Sequence, residues 1–404
     1  MADTDAMPIL VAGTGPAGLI AALALAHHGH NVALAGPKVR TDEDRRTTAL
    51  MGPSLAFLEK LGVADELAAA AAPLRTMRMI DATARLVRAP TVSFRASEIG
   101  EDRFGLNIPN AHMNAVLEAA VARDPLIVRH ESLIAGWAPS ADRVTALLDN
   151  GTSLDASLAV AADGRNSPAR EAAGIGTWRR DLPQSALVLN FAHARDHHDI
   201  STEFHTETGP FTQVPLPGRR SSLVWVVRPE TAEELIALDD DALSARIEQR
   251  MASMLGRVTV EAGRQIYPLA SILPHRYAAR RIMLVGEAAH VFAPIGAQGL
   301  NLGIRDVEAV VEIVGRHPAD PGAPAAMSAY DIRRRPDVVA RTGAVAMLNR
   351  SLLSDFLPWQ LARSAGLGIV DAIAPLRAFA MREGMRPGSG LRGLFSRSAE
   401  EVGR

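Results

Sequence analysis

A glycine-rich turn near the N-terminus constrains the fold more than any other feature of this sequence. Residues 8–12 form a short apolar run typical of a buried parallel strand, and the turn Gly13-Thr-Gly15-Pro-Ala-Gly18 follows it directly. Residues 19–28 are rich in Ala and Leu, which indicates a helix, and Gly29 is placed to end it. Because residues 31–34 then supply a second strand pattern, the order predicts the opening β–α–β unit of a doubly wound α/β fold.

Each glycine of the turn has a distinct role in binding a dinucleotide. Gly13 permits the tight turn, Gly15 leaves room for a pyrophosphate beside the backbone, and Gly18 lets the helix approach the strand. The helix N-terminus presents unpaired N–H groups to the phosphates. The predicted pyrophosphate contacts are Gly13, Gly15, Pro16, Ala17 and Gly18. The same glycine spacing recurs in residues 388–393, but no strand precedes it, so we interpret that segment as a flexible tail.

One side chain expected in such a site is missing. Dinucleotide sites commonly carry an Asp or Glu about 20 residues further on, which binds the ribose hydroxyls. Here the second strand ends in Ala35-Gly36-Pro37, and the nearest carboxylates lie in the loop of residues 41–44. The sequence therefore predicts the pyrophosphate contacts but leaves the ribose contact unassigned.

A second strand-and-turn pattern lies in the middle of the chain. Residues 158–162 read as a buried strand that enters the turn Asp163-Gly164. A helix is predicted to begin near Ser167, because Pro168 suits a first helical position.

A third such pattern follows much later. Residues 281–285 read as a buried strand that runs into Gly286 and Glu287. The stretch of residues 294–301 is rich in glycine, and a long helix is predicted from about Asn301 through Asp306. The backbone N–H groups at that helix start would face an anion or an electron-rich ring oxygen.

Together the three segments resemble the three FAD motifs of the single-component (class A) flavin hydroxylases. Within that group the chain is most similar to the ubiquinone-biosynthesis hydroxylase family. The segments that carry this similarity are residues 46–50 (Arg-Thr-Thr-Ala-Leu), 294–306, 330–337 (Tyr-Asp-Ile-Arg-Arg-Arg-Pro-Asp) and 348–355. The resemblance covers nearly the whole chain and is weakest over residues 70–100 and 190–270.

The resemblance implies FAD as the cofactor and NAD(P)H as a co-substrate that reduces it, after which O2 provides one oxygen atom to a phenol-type ring. It implies that Arg46 lies near the cofactor and that Asp163 and Gly164 approach the pyrophosphate and the NAD(P)H. The acidic residue after Gly286 would hold the ribityl chain, and here it is Glu287 where the family often has Asp. The residues expected to line the flavin ring are Pro294, Gly296, Ala297, Gln298, Gly299, Leu300 and Asn301, with His290 packed beside it. We name no catalytic base from the sequence.

Composition removes several other classes of function. The chain has no cysteine, which excludes disulfides, thiolate metal sites and iron–sulfur clusters, and its net charge of -2 gives no reason to expect a nucleic-acid partner. No run approaches the roughly 18 apolar residues of a transmembrane helix, and the N-terminus lacks the basic region of a signal peptide. A cytoplasmic location is expected, with peripheral contact at the inner membrane face as a further hypothesis. A cluster of four histidines with acidic neighbours is interpreted as a solvated loop rather than a metal site: His193, His197, His198 and His205.

The predicted architecture is α/β (α+β overall), with a Rossmann-like FAD-binding domain, a mainly antiparallel β-sheet substrate domain and C-terminal helices. The expected boundaries are 1–72, 101–180 and 275–324 for the FAD-binding domain, 73–100 and 181–274 for the substrate domain, and 325–404 for the C-terminal region and its flexible tail. Strands are predicted over residues 186–192, 211–216, 222–227 and 258–261, a helix-like run over 232–255, and a loop over 315–324. Amphipathic runs at 352–359 and 367–381 either cap the core or contact a partner or membrane, and a homo-oligomer is compatible with the sequence.

The function predicted from these patterns is hydroxylation of a prenylated phenol or quinone precursor in ubiquinone biosynthesis. Two alternatives of other classes remain. The chain could be another FAD oxidoreductase, such as a prenyl-lipid reductase, a soluble phenol hydroxylase or a flavin halogenase, although the halogenase-type Trp-x-Trp-x-Ile-Pro motif is missing. It could also be a non-catalytic scaffold of a biosynthetic complex, an idea supported only by Gly36 and Glu287.

Overall fold

The predicted β–α–β unit is present at the start of the chain. The computed structural model describes residues 7–38, 44–84, 88–293, 298–353 and 373–385. Strand β1 (Ile9–Ala12) is followed by helix α1 (Pro16–His27) and strand β2 (Val32–Ala35), and the two strands pair in parallel. Gly29 adopts a φ of 85° just after α1, which is the left-handed conformation that ends many helices. The first structural prediction is therefore confirmed.

The remaining elements are runs of strands separated by helices. From residue 47 to residue 172 they are β3 (Thr47–Met51), α2 (Gly52–Lys60), α3 (Ala64–Ala68), β4 (Ala72–Leu74), β5 (Thr76–Asp81), β6 (Val92–Arg95), β7 (Gly105–Pro109), α4 (Asn110–Arg123), β8 (Ile127–His130), β9 (Ile134–Pro139), β10 (Val144–Leu148), β11 (Ser153–Ala156), β12 (Leu158–Ala161) and α5 (Pro168–Ala172). From there to residue 274 they are β13 (Thr177–His193), β14 (Ile200–Thr206), β15 (Gly209–Leu216), β16 (Arg220–Val227), α6 (Pro229–Ala237), α7 (Asp240–Arg250), β17 (Val258–Val260) and β18 (Gln265–Pro274). The last described elements are β19 (Ala278–Ala279), β20 (Ile282–Leu284), α8 (Gln298–Arg316), α9 (Pro324–Leu353) and a helix over Ala374–Met385.

A six-stranded sheet forms one side of the molecule. Its strand order is β19-β20-β12-β1-β2-β8, and the five strands from β20 to β8 run in parallel. Helix α1 packs against this sheet between α4 and α8, so residues 18–26 are buried all round. That position explains why the helix is apolar on every face instead of amphipathic.

An eight-stranded sheet covers the other side. Its order is β17-β13-β16-β15-β14-β5-β6, with β18 also paired to β13, and only the β14–β5 pair is parallel. Alternate side chains of β13 point to opposite faces. Leu187, Leu189 and Phe191 join a core under α6 and α7, whereas Ala186 and Val188 belong to a small cluster on the opposite face. The mixed architecture with a mainly antiparallel second sheet is as predicted.

Several element predictions need correction. The helix-like run of residues 232–255 is two helices, because the chain is extended at Leu238 and Asp239 caps α7 by accepting a hydrogen bond from the Ala242 N–H at 2.7 Å. The predicted loop of 315–324 begins later, since α8 continues to Arg316. Two three-stranded sheets, β11-β10-β9 and β3-β7-β4, were not predicted. The amphipathic run at 352–359 lies largely, and the tail at 388–393 entirely, outside the described residues. The run at 367–381 is described from residue 373 onward, where it forms the helix Ala374–Met385 with Ala378 and Met381 buried.

Candidate functional site

The three glycine-containing segments meet at one edge of the parallel sheet. They follow β1, β12 and β20, which are neighbouring strands, and the register aligns Ala12 with Ala161 and Ala161 with Leu284. Because the carboxyl ends of parallel strands share one edge, the turns at Gly13, Asp163 and Gly286 lie side by side. Ligands of open α/β sheets bind at this edge.

The first turn has the shape that a bound diphosphate requires. A Cβ added at Gly13 would lie 2.3 Å from the Ala162 carbonyl oxygen, and one added at Gly18 would lie 2.0 Å from the Gly13 carbonyl oxygen. A Cβ at Gly15 would meet no atom of the described residues within 4 Å apart from its own chain neighbours. Two glycines are therefore required by packing within the protein, while the third faces open space at the start of α1.

The second segment is held by its own helix cap. Ser167 caps α5 by accepting a hydrogen bond from the Arg170 N–H at 3.0 Å, and Pro168 takes the first helical position, as predicted. Asp163 Oδ2 accepts a hydrogen bond from the Ala169 N–H at 3.0 Å, while its Oδ1 is buried and makes no hydrogen bond within the described part of the protein. Burial raises the pKa of this carboxyl group. A buried acceptor without a donor at this edge suits a ligand that brings a hydroxyl or an amide.

The third segment packs against the first, at Gly286 and Ala17. Gly286 has a φ of 60°, and a Cβ there would lie 3.0 Å from the Cβ of Ala17. Gly303 of α8 packs on Gly286, since a Cβ at Gly303 would lie 3.3 Å from the Gly286 Cα. The side chain of Glu287 is 55% exposed, and its Oε2 lies 3.4 Å from Nε of Arg165. This ion pair joins the second and third segments at the surface of the cleft.

Arg46 lines the same cleft, with a side chain that is 45% exposed. Its guanidinium donates to Asp44 at 2.8 and 2.7 Å and lies over the ring of Tyr267, 5.4 Å from the ring centroid. The hydrogen bonds with Asp44 raise the pKa of Arg46, so the side chain stays charged. Asp44 is in turn bonded by Asn110 Nδ2 at 3.1 Å, which fixes the pair in place.

A cavity of about 220 Å³ lies between the eight-stranded sheet and the edge of the parallel sheet that carries the three turns. Three charged residues line the side of this cavity that is expected to face the cofactor: Arg46, Arg165 and Glu287. The other lining residues are mostly apolar and come from the sheet face and the segment after Glu287: Thr47, Ala186, Val188, Ser222, Val224, Tyr267, Pro268, Leu269, Ala270, Val291 and Phe292. One ring-sized space thus has a charged side and an apolar side.

A second groove, of about 820 Å³, lies at the opposite edge of the parallel sheet. It is lined by Arg276, Arg280, Arg281 and Arg335, among others, and by none of the motif residues. Because Arg281 precedes β20, this groove lies beside the amino ends of the strands. The smaller cavity, and not the larger groove, is therefore the candidate active site.

Part of the predicted flavin-lining segment is not described. Pro294, Gly296 and Ala297 lie outside the described residues, and Gln298 is the first residue of α8. Gly299 faces open space, and Leu300 is partly buried. The Asn301 side chain is directed to the segment around β3: its Oδ1 accepts from the Met51 N–H at 2.9 Å and from Ser54 Oγ at 2.8 Å. Asn301 thus anchors the start of α8.

At the end of β2, where the ribose-binding acid is missing, an arginine side chain is hydrogen-bonded to the backbone. Arg129 of β8 donates to the Gly36 carbonyl oxygen at 2.9 Å and to the Pro37 carbonyl oxygen at 3.0 Å. Thr14 Oγ1 donates to the same Pro37 oxygen at 2.6 Å. Since Asp44 is committed to Arg46, it does not replace the missing acid, and residues 41–43 of that loop lie outside the described residues.

The histidine prediction is wrong for three of its four residues. His193, His197 and His205 are buried, and only His198 is exposed, in a left-handed turn. His193 is hydrogen-bonded to Ser221 Oγ at 3.0 Å, and His205 to Glu203 Oε1 at 2.7 Å. His193 ends β13, His205 lies in β14 and His197 lies in the connection between these two strands, so their burial depends on pairing that the sequence pattern does not show. Within the described ranges, no three His, Cys, Asp or Glu side chains come together to hold a metal ion.

Buried charged residues that the sequence analysis did not single out hold the segments together. Arg170 donates to the Ala288 carbonyl oxygen and to the Arg165 carbonyl oxygen, both at 2.9 Å, and so ties the second segment to the third. Asp306 lies beneath Gly286 and is paired with Arg334. Asp306 lies in the helix predicted from the sequence, and Arg334 lies in segment 330–337, which resembles the ubiquinone-biosynthesis hydroxylase family. Their role could be recognised only from their contact in the folded protein.

Comparison with known proteins agrees with this geometry. A family model described as an FAD binding domain matches residues 6–343. Ubiquinone hydroxylase UbiL of Rhodospirillum rubrum is 32% identical over 386 residues, covering 93% of this chain and 89% of the relative. The 3-demethoxyubiquinol 3-hydroxylase of Escherichia coli is 28% identical over 387 residues, covering 93% and 97%.

A solved structure supports the fold independently of sequence. The p-nitrophenol 4-monooxygenase PnpA of Pseudomonas putida superposes with a TM-score of 0.77 at 18% identity, covering 96% of this chain and 98% of that protein. The family match extends over all three motif segments, and the residues present at the sheet edge fit an FAD diphosphate. The chain therefore belongs to the FAD binding domain family and is a flavoprotein monooxygenase.

Proposed function

We propose that this protein uses FAD, NAD(P)H and O2 to hydroxylate the ring of a prenylated phenol or quinone precursor in ubiquinone biosynthesis. The observation that carries the proposal is the cavity of about 220 Å³, which has a charged cofactor side and an apolar sheet side. The relatives named as a ubiquinone hydroxylase and a 3-demethoxyubiquinol 3-hydroxylase support the substrate class.

The residues that we propose to contact the flavin are the same ones that the sequence predicts. The diphosphate would lie against the turn at Gly13 and the start of α1, where only Gly15 faces open space. Glu287 would bind the ribityl chain, and Arg46 would lie beside the ring system. The full proposed set is Gly13, Gly15, Pro16, Ala17, Gly18, Arg46, Asp163, Gly164, Gly286, Glu287, Pro294, Gly296, Ala297, Gln298, Gly299, Leu300 and Asn301.

Bound FAD supplies the redox chemistry, by accepting two electrons from NAD(P)H and activating O2 for transfer of one oxygen atom. The protein's own task is to exclude water and orient the ring. Val188, Val224 and Leu269 form an apolar surface opposite the motif edge, which disfavours water and favours an aromatic face. Phe292, whose ring lies 5.8 Å from that of His290, closes one side of the cavity.

A pair of hydroxyl groups interrupts the apolar wall. Thr47 Oγ1 and Ser222 Oγ lie 2.8 Å apart and both residues line the cavity. Asn107 Nδ2 donates to the Pro215 carbonyl oxygen at 2.8 Å and lies 3.5 Å from Ser222 Oγ, so the pair has a fixed neighbour. We place the ring oxygen of the substrate at this pair, because each hydroxyl can both donate and accept a hydrogen bond.

The wider organisation is part of the same proposal. We assign residues 1–72, 101–180 and 275–324 to FAD binding, 73–100 and 181–274 to the substrate, and 325–404 to a C-terminal region. The large sheet, which draws strands from residues 76–95 and 177–274, supports the division. None of the described helices has the length and apolar character needed to cross a bilayer. We further propose peripheral contact with the membrane that holds a prenylated substrate, and assembly into a homo-oligomer.

The experiment is a turnover assay with isotopic oxygen. Purified protein is loaded with FAD and incubated with NADH or NADPH, labelled O2 and a short-chain prenylated phenol, and the product is analysed by mass spectrometry. The proposal predicts flavin reduction that depends on the phenol and a product with one labelled oxygen atom. Flavin reduction without oxygen in the product indicates a reductase, and bound flavin that NAD(P)H never reduces indicates a scaffold; either result refutes the proposal.

A further inference from the structure

Asp306 of α8 lies directly beneath the third cofactor segment. Its side chain is 0% exposed, and its Oδ2 accepts hydrogen bonds from the Gly286 N–H at 3.0 Å and from His290 Nε2 at 2.7 Å. Burial by itself raises the pKa of Asp306, but Arg334 and His290 outweigh burial and hold the pKa below its ordinary value of 3.8. An ionised carboxylate therefore accepts both hydrogen bonds at neutral pH.

The negative charge of Asp306 is balanced from a different helix. Arg334 of α9 is 1% exposed at its side chain, and its Nε donates to Asp306 Oδ1 at 2.7 Å. Its Nη1 donates to Asp337 at 2.8 Å, which keeps the guanidinium in place. A buried carboxylate needs such a partner, because an uncompensated charge in the interior is costly. Helix α9 thus contributes to the arrangement under the third segment.

The turn from Gly286 to His290 is held at its middle by Arg170, which donates to the Ala288 carbonyl oxygen at 2.9 Å, and at its two ends by Asp306. Gly286 has no side chain, and its φ of 60° takes the backbone out of strand β20. Its carbonyl oxygen accepts from the Ala289 and His290 N–H groups, both at 2.9 Å, which closes a short turn. Its own N–H is satisfied by Asp306, and so is the ring of His290 at the other end of the turn. One carboxylate therefore fixes both ends of the turn that carries Glu287.

We propose that Asp306, held by Arg334, is a positioning residue that sets the orientation of the Gly286–His290 turn toward FAD. The proposal rests on the proposed contacts of Gly286 and Glu287 with the flavin. Asp306 touches no cofactor itself and acts through the backbone of the turn. Loss of its carboxylate should weaken FAD binding beyond any loss of fold stability.

The test compares FAD affinity with the stability of the apoprotein. In Asp306→Asn the amide keeps a single acceptor oxygen, so its NH2 group must face either the Gly286 and His290 donors or the Arg334 donor, and the charge that balances Arg334 is lost in both orientations. We expect the FAD dissociation constant, measured by flavin fluorescence quenching, to rise by at least about tenfold. Tyr330→Phe is the matched control: Tyr330 lies on α9 and is as buried as Asp306, but its hydroxyl donates to the Leu284 carbonyl oxygen at 2.8 Å, before the turn begins. Its FAD affinity should stay within about twofold of wild type.

A double variant separates positioning from stability. Asp306→Leu with Arg334→Met removes both buried charges, a replacement that often restores stability. We expect the free energy of unfolding of the apoprotein to return toward the wild-type value. The affinity for FAD should stay reduced, because the Gly286 N–H still lacks its acceptor. The inference is overturned if the double variant recovers both properties, or if Asp306→Asn binds FAD as tightly as wild type. Failure of the wild-type protein to bind FAD would instead refute the flavin site, and this inference with it.

Discussion

Substitutions at two glycines of the first turn should have opposite consequences. Gly15→Ala places a methyl group where no atom of the described residues beyond its chain neighbours lies within 4 Å, whereas Gly18→Ala places one 2.0 Å from the Gly13 carbonyl oxygen. If Gly15 is open because a diphosphate occupies that space, Gly15→Ala should impair FAD binding and spare the fold. Gly18→Ala should impair the fold whether or not FAD is present.

The structure sets the size of each effect. Gly15 has φ −68° and ψ 172°, which alanine adopts freely, so a gain of about 0.4–1 kcal/mol from reduced unfolded-chain entropy is expected. Gly15 is also the N-cap of α1, where alanine is a poorer cap by a similar amount, so the net change in unfolding free energy should stay within about 1 kcal/mol. Gly18→Ala must move α1 away from β1, which costs about 1–3 kcal/mol or more.

The loss of affinity in Gly15→Ala follows from the hydrogen bonds that a diphosphate makes to the helix start. Losing one hydrogen bond to a charged group costs about 1.5–3 kcal/mol, which corresponds to at least about a tenfold rise in the FAD dissociation constant. Urea unfolding of the apoproteins measures stability, and fluorescence titration with FAD measures affinity. The reasoning is refuted if Gly15→Ala binds FAD as wild type does, or if it destabilises the apoprotein as much as Gly18→Ala.

Three further outcomes follow from the site. Val224→Trp should fill much of the cavity of about 220 Å³ and lower hydroxylation, with flavin content unchanged; a fully active variant would show that the substrate binds elsewhere. Glu287→Gln should reduce FAD affinity but change the unfolding free energy by less than about 0.5 kcal/mol, because its pair with Arg165 is exposed; urea unfolding and FAD titration check both, and unchanged affinity would remove Glu287 from the site. Because the pKa of Asp306 is lowered in the folded protein, its stabilising contribution is complete above its ordinary value of 3.8 and is lost as the pH falls through the folded value. In Asp306→Asn the unfolding midpoint should therefore fall less steeply with decreasing pH in the acid range than it does in the wild type. An unchanged slope would contradict the lowered pKa of Asp306.

Much of the site could be predicted because its information is local. The turns at Gly13 and Gly286 follow short apolar strands closely, and the cap at Ser167 directly precedes Pro168, so a few adjacent residues specify the backbone conformation. The strand patterns of the large sheet were equally local and held for β15 and β16. The buried positions of His193 and His205 were not predictable, because polar strand residues become buried only when other strands pair beside them.

The sequence alone determined that this chain has a dinucleotide turn, two later strand-and-turn motifs and a FAD-enzyme pattern, since backbone conformation at glycines, caps and short apolar strands depends on neighbouring residues. Tertiary structure alone decided that β20, β12 and β1 are adjacent and that their three turns therefore share one edge. It also decided that Arg129 closes the end of β2, and that Asp306 under Gly286 is neutralised by Arg334 from α9. The physical reason is that strand order and buried charge pairing depend on contacts between residues far apart in the chain, which no local pattern encodes.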